Sequence, residues 1–361
     1  MEIQVLRPII RVSIFTQNLG LAISKKYLIM NKQNFSQFIG IDISKSTFDT
    51  AIIDSDGKSK SYVFNNTVKG IKAFLRLLEN QKMALSETFI CMEHTGIYGK
   101  LIITKLVEKQ ANVCVEMSLK IMRSSGLQRG KNDKIDALRI ATYAVKNHLK
   151  LELYQPIPEV LDKIKTLITI RERLVKSKVD LTKYPNELKE FAPELSKVAQ
   201  KNIKKSVNVF TTEIKRIEQE IQVLIISDEK LNTTISLATS VTGIGKITAL
   251  YLTIFTNMFT RYENAKQLAC YCGVVPFEYS SGTSIKKRSR VHHMANKTLK
   301  KQLHLCALAA IQYDLEIKTY YNKKVEEGKS KMLVINNVRN KLVHRVCAVI
   351  KKQQPYVKTV A

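Results

Sequence analysis

Asp42 lies within Phe38-Ile-Gly-Ile-Asp-Ile-Ser-Lys45, Glu93 closes the run Thr88-Phe-Ile-Cys-Met-Glu93, and Asp133 and Asp136 stand three apart in Lys131-Asn-Asp-Lys-Ile-Asp-Ala137. These acids are the chain's first means of doing chemistry. Apolar Ile41 and Ile43 flank Asp42, so its strand is expected to be buried, and an ionised acid there needs a cation or hydrogen bonds. Residues three apart on a helix project from one face, so Asp133 and Asp136 repel each other unless something positive bridges them. Hard carboxylate oxygens favour Mg2+ or Mn2+, and two such ions could polarise a phosphodiester and stabilise both the attacking and the leaving oxygen. The plainer alternative makes Asp133 and Asp136 a solvated first helical turn, favoured by the helix dipole, and Glu93 a surface acid. Taken together, on a chain of net charge +28, the four favour a metal held against phosphate.

A second candidate is the hydroxyl-rich turn Tyr279-Ser-Ser-Gly-Thr-Ser284, followed at once by Ile285-Lys-Lys-Arg-Ser-Arg290. A serine nucleophile needs its proton removed and the phosphate charge neutralised, and Lys286, Lys287, Arg288 and Arg290 supply the second requirement. Alone, Ser-Ser-Gly is simply a turn. A third candidate, Val241-Thr-Gly-Ile-Gly-Lys246 between two helical stretches, looks like a helix-hairpin-helix. There Gly243 and Gly245 would bring backbone N–H groups, with Lys246, close to a DNA phosphate, although a plain helical hairpin needs no DNA. Two further readings carry less. Ile39-Gly-Ile-Asp-Ile-Ser-Lys-Ser also opens like the phosphate loop of actin-like ATPases and sugar kinases, but no second phosphate loop or Gly-rich adenosine site follows. Cys270 and Cys272 with His292 and His293 lack the wider cysteine spacing usual in zinc sites.

The elements that must position these residues follow from patterning. A strand running from Phe38 to Ile53, a turn at Asp54-Ser-Asp-Gly57, a strand Ser59 to Asn65 and a helix Val68 to Asn80 are expected first. A strand from Thr88, a helix Lys100 to Gln110, a strand Asn112 to Met117 and a helix Lys134 to Lys146 come next. Strands interleaved with helices after an opening hairpin describe an α/β sheet of the ribonuclease H arrangement. Beyond Pro156 and Pro158 a helix is expected to stop near Pro185 and Pro193. In the helix after it, Ile203, Val207, Phe210, Ile214, Ile217, Ile221 and Leu224 repeat by fours and threes. That seam suits equally a helical hairpin within one chain and self-association. The expected divisions are 1–36, an N-terminal extension poorly ordered or peripheral to the fold; 37–155, the α/β domain; 156–230, a helical coiled-coil linker; and 231–361, a mainly α C-terminal domain.

Composition names the partner. The chain has 59 Lys+Arg against 31 Asp+Glu, which implies a polyanion bound by counterion release, with nucleic acid the default. Residues 281–361 hold 18 Lys+Arg and 4 Asp+Glu, a net +14, so the main contact is expected there. The apolar stretch Val12 to Ser24 is interrupted by Gln17 and Asn18, and Glu2 spoils a basic leader, so neither signal peptide nor membrane span is expected. Cys91, Cys114, Cys306 and Cys347 lie in apolar surroundings, as reduced thiols of a cytoplasmic protein would.

In Gly40-Ile-Asp-Ile-Ser-Lys45, Lys131-Asn-Asp-Lys-Ile-Asp-Ala-Leu138, and the stretch from Gly243-Ile-Gly through Gly273-Val-Val-Pro to Ser-Ser-Gly-Thr-Ser284, the chain resembles the DEDD-type transposases of the insertion sequence one hundred and ten family. The resemblance covers nearly everything from Phe38 onward. It implies an N-terminal domain like that of RuvC, the Holliday-junction resolvase, a coiled coil, and a C-terminal transposase domain. It makes Asp42, Glu93, Asp133 and Asp136 the four metal-binding acids and places the family's catalytic serine at Ser281, with Ser280 its neighbour. Further implied are double-stranded DNA as substrate, a structured bridge RNA as guide, and homo-oligomers that set the acids of one subunit beside the serine of another. A covalent phosphoserine would conserve bond energy for strand exchange. Two alternatives stay open: a junction-resolving endonuclease in which the acids activate water, and an inactive nucleic-acid-binding remnant.

Overall fold

The computed structural model describes residues 35–124, 126, 132–281 and 285–357, and of 279–281 and 285–288 the backbone alone. Most of the expected N-terminal extension, residues 1–34, lies outside them. The chain divides into two compact units, one ending at Pro156 and the other beginning at Ile157.

The first unit is built on a five-stranded sheet of order β3-β2-β1-β4-β5. Its strands are β1 (Gln37–Ile43), β2 (Thr47–Ile53), β3 (Ser59–Asn65), β4 (Thr88–Glu93) and β5 (Asn112–Glu116). β1, β2 and β3 pair antiparallel, whereas β1, β4 and β5 run parallel. The single strand expected over Phe38 to Ile53 is in fact two, and the reason is Ser44. Its hydroxyl donates to the Thr47 carbonyl at 2.9 Å and accepts the Thr47 N–H at 3.0 Å, closing a tight turn within an otherwise strand-like run.

Alternation divides β1 between two faces. Ile39, Ile41 and Ile43 enter a core with Phe48, Phe74, Ile102 and Leu106, contributed in part by α1 (Val68–Asn80) and α2 (Lys100–Glu108). Phe38, Gly40 and Asp42 point the other way, toward α4 (Asp133–Asn147), which follows the short α3 (Ser118–Ser124). Helices therefore cover both faces, which explains why Thr88 to Met92 of β4 are uniformly buried. Gly40 is the tightest point: a Cβ there would run into the carbonyl of Ala137 and the amide nitrogen of Ala141. Small residues at Ala51, Ala137 and Ala141 complete that close approach of helix to sheet. Phe35, assigned by sequence to the extension, packs edge-on against Phe89 at 5.2 Å.

The second unit begins with two long helices, α5 (Glu159–Phe191) and α6 (Pro193–Ser227). Leu161, Ile164 and Ile168 share a core with Ile217, Ile221 and Ile225, and Arg171 pairs with Glu218 at 2.7 Å. The two form a helical hairpin, so the seam is used within the chain. Ile217 and Ile221 are buried, while Ile203, Val207, Phe210, Ile214 and Leu224 are half-buried. The expected stop near Pro185 is corrected: α5 runs through Pro185 to Phe191 and turns only at Ala192. A proline removes one helical N–H bond, and this one is buried, with its carbonyl accepting from Ser196 Oγ at 2.7 Å.

Helices α7 (Glu229–Thr239), α8 (Lys246–Phe255), α9 (Ala265–Tyr271), α10 (Lys297–Tyr313), α11 (Leu315–Glu326) and α12 (Lys331–Lys352) complete the unit, with a two-stranded hairpin of β6 (Phe277–Ser281) and β7 (Ile285–Arg290). Leu299, Leu303 and Ala307 pack in one core with Val338, Leu342 and Val346. Cys272 is fully buried there, and burial pushes its thiol well up, as suits a small apolar side chain. Among the described residues no helix is long and apolar enough to cross a membrane.

Candidate active site

The sheet register and the entry of α4 set the acids beside one another. Asp42 is two residues beyond Gly40 on the face that α4 covers, at the end of β1. On the neighbouring parallel strand Ile41 pairs with Met92, so Glu93 follows alongside Asp42. Asn132 caps α4, its side chain accepting the Lys134 N–H at 3.1 Å, and Asp133 and Asp136 occupy the first turn. Because Gly40 seats that helix directly on β1, its acidic turn meets the end of the strand.

Electrostatics record the same convergence. Burial, and then the neighbouring carboxylates of Glu93, Asp136 and Asp133, push the Asp42 carboxyl up from 3.8 to about 6, against a hydrogen bond from the Ile43 backbone that pulls it down. The other three predicted acids thus all act on Asp42. Asp136 Oδ1 is held by Arg139 Nη1 at 2.6 Å, and among the described residues Arg139 is the one ion-pair partner of the four. Glu93 Oε1 accepts a hydrogen bond from Ser118 Oγ.

Sequence reasoning missed two acids on the same face. Asp49 is paired with Asp42 across the β1–β2 ladder, and its carboxyl is raised by burial and by Asp133. Glu116 is the register partner of Glu93 and is buried, with Oε2 accepting from Lys120 Nζ at 3.1 Å and Oε1 from the Met117 N–H at 2.8 Å. The signal for Asp49 was its distance from the turn, equal to that of Asp42, legible only once the turn is placed at Ser44 to Thr47.

Hard oxygens in excess of counter-charge are the donor set that a divalent cation of the Mg2+ class takes. The side chains stand somewhat apart, since among the described residues no three acids, histidines or cysteines close on one point. Asp42, Asp133, Asp136 and Glu93 would hold such an ion, with Ser118 orienting Glu93 and Arg139 orienting Asp136.

Ser281 belongs to the second unit. It ends β6, paired with Ile285 of β7, and Ser280 is paired with Lys286. The side chains of Ser280, Ser281, Lys286, Lys287 and Arg288 lie outside the described residues. Arg290, opposite Phe277 at the root of the hairpin, is exposed. Phe277 meets His292 edge-on at 6.1 Å, and His292 stacks on His293 at 4.4 Å.

Of the glycine-loop residues, Gly245 and Lys246 are exposed at the start of α8, where backbone N–H groups are free of helical partners. Gly243 has another reason to be glycine. Its φ is +93°, and a Cβ would strike the Cys306 carbonyl and Ala310 of α10.

Comparison with known proteins adds an independent line. A family model described as "Transposase" matches residues 39–191, which hold all four acids, and one described as "Transposase IS116/IS110/IS902 family" matches residues 235–322, which hold Gly243 and Ser281. The pilin gene-inverting protein of Moraxella bovis is 27% identical over 90% of this chain and 98% of its own length, and that of Moraxella lacunata matches to the same extent. The transposase for insertion sequence element IS1111A of Coxiella burnetii is 24% identical over 75% of this chain and 82% of its own length.

Proposed function

The chain belongs to the IS110/IS116/IS902 family of transposases, and from that premise we propose that it is a metal-dependent DNA recombinase that exchanges strands through a covalent serine–DNA intermediate. The observation that carries the metal-dependent half is Asp42, raised to about 6 first by its burial and then by three acids remote in sequence. Four carboxylates kept together at that cost suit a site completed by a cation. The sheet order β3-β2-β1-β4-β5, with its antiparallel first three strands, supports reading the first unit as ribonuclease H-like, of the RuvC kind.

A bound Mg2+ or Mn2+ supplies polarisation of the scissile phosphate. The chain's own residues do the rest. Asp42, Glu93, Asp133 and Asp136 fix that charge at the end of β1, and Arg139 and Ser118 orient two of them. Ser281 attacks phosphorus through Oγ: an O–P ester forms, the bond to one sugar oxygen breaks, and that oxygen leaves as a hydroxyl once the serine proton is passed on. A hydroxyl of the incoming strand reverses the step, so no external energy is spent. The exposed Gly245 and Lys246, together with the basic strand β7, would hold DNA phosphates. A structured guide RNA, a homo-oligomeric assembly and a cytoplasmic, nucleoid-associated location belong to the same reading, which draws on the family and on the net charge of +28.

The test is direct. Ser281→Ala abolishes the covalent protein–DNA adduct and leaves guide-RNA binding intact; an undiminished adduct rejects the nucleophile. A hydrolytic, junction-resolving reading draws on the same acids, which lie within one compact unit. It predicts nicked products without recombinant joints.

A further inference from the structure

Two arginines on α12 contrast in their surroundings. Arg345 is paired with Asp314 at 2.8 Å and Glu316 at 2.6 Å. Arg339, two turns earlier, is only 6% exposed, and among the described residues no carboxylate pairs with it. Its Nε is buried without a hydrogen-bond partner, and its Nη2 lies 2.5 Å from Nδ1 of His304 on α10. A guanidinium can only donate, so Nδ1 is the acceptor and the imidazole is neutral, with its proton on Nε2. Burial and the adjacent guanidinium both push the His304 pKa down, which keeps it so. The pair therefore presents donors and no acceptor. A buried cation with no anion beside it is costly, and a bound anion would offset that cost.

The position says which anion. Asn336, one turn before Arg339 on the same face of α12, donates to the Val274 carbonyl at 2.8 Å, and Val274 is three residues before β6. Lys300, one turn before His304 on α10, lies against Gly273, where a Cβ would come to 3.4 Å of its Cδ. At the start of α10, the Asn296 N–H bonds the Tyr271 carbonyl at 2.8 Å. Asn336 and Lys300, each one turn from a member of the Arg339–His304 pair, thus contact the Gly273–Val274 segment that leads into β6.

We propose that Arg339, His304 and Lys300 form a phosphate-binding site at the root of the hairpin that carries Ser281, and that its ligand is a backbone phosphate of the DNA strand brought to that hairpin. The assignment rests on DNA being the substrate and is independent of Ser281 being the nucleophile.

The experiment uses the full-length chain carrying Ser281→Ala, so that no adduct enters, and measures duplex DNA affinity by fluorescence anisotropy over a range of salt. Adding Arg339→Met weakens binding about tenfold and lowers the log–log salt slope by about one. The same variant unfolds at an equal or higher temperature, because an unpaired buried charge has been replaced by an apolar chain of similar length. Arg339→Lys keeps the slope, having kept the charge, and loses part of the affinity with the guanidinium fork. A Met variant with unchanged affinity and slope overturns the site. So does one that binds poorly and melts lower, with the Lys variant equally impaired, which is the mark of a structural role. Affinity lost for single-stranded RNA of the same length but kept for DNA overturns the DNA assignment. Adduct formation by the protein with Ser281 intact is scored separately, so failure of either idea leaves the other standing.

Discussion

Asp42 and Asp49 stand directly opposite each other across the β1–β2 ladder, both on the face of the sheet that α4 covers. Burial raises both carboxyls first, and Asp133 at the start of α4 raises both further, behind Glu93 and Asp136 in the case of Asp42. The first unit is therefore built with a local surplus of negative charge at the end of its central strand. The predictions begin from that surplus.

The stability of the metal-free protein falls as pH rises through the Asp42 transition. Its folded carboxyl titrates at about 6 and its unfolded one near 3.8, so the folded state holds the proton more tightly. Its contribution is fully present below about pH 4 and is lost as pH climbs past about 6. With Asp42 only half-buried, solvent screening reduces the effect to about 1 kcal/mol. Urea midpoints from about pH 4 to 8 should show the fall in the parent and a flatter profile in Asp42→Asn.

Asp49→Asn relieves part of the same surplus of charge. At neutral pH it raises stability by about 0.5 kcal/mol and weakens divalent-ion binding several-fold, because a negative neighbour is lost without a ligand being removed. Thermal denaturation and metal titration of one preparation check both directions. A drop in stability would mean that Asp49 makes a favourable contact instead.

Gly40→Ala is costly although it adds one methyl. The new Cβ meets backbone of Ala137 and Ala141, and neither can swing aside as a side-chain end could. A loss of about 3 kcal/mol is expected from overpacking, with α4 displaced from the strand and cleavage reduced along with it. A chemical denaturation midpoint close to the parent's would show that α4 is not seated on β1 as described.

Gly243→Ala and Gly245→Ala separate packing from DNA contact within one loop. Gly243 has a left-handed backbone and abuts α10, so alanine there costs about 2 kcal/mol or more. Gly245 has open space around it, so alanine is expected to cost under about 1 kcal/mol and to act on DNA affinity instead. Equal destabilisation by the two would refute the distinction.

Much of this was legible beforehand. The four acids, the alternating α/β order and the helical second half follow from periodicity and spacing. Asp49 was hidden because the turn between Ser44 and Thr47 carries no Gly, Pro, Asn or Asp to announce it, and is closed by the hydroxyl and N–H of Ser44 on Thr47. With one long strand assumed, Asp49 falls far from Asp42. Pro185 misled for the opposite reason: a local helix-breaking preference of a few kcal/mol is overridden where a long hairpin buries the residue. Arg339 was beyond reach, since its lack of a carboxylate is a property of packing and not of neighbours in sequence.

Mn2+ binding to the full-length protein, measured by calorimetry without DNA, tests the central claim most directly. The account predicts that the parent binds Mn2+ at the carboxylate cluster and that Asp42→Asn and Asp136→Asn each remove that binding while the folded state persists. Binding of equal affinity and stoichiometry in both variants would contradict it.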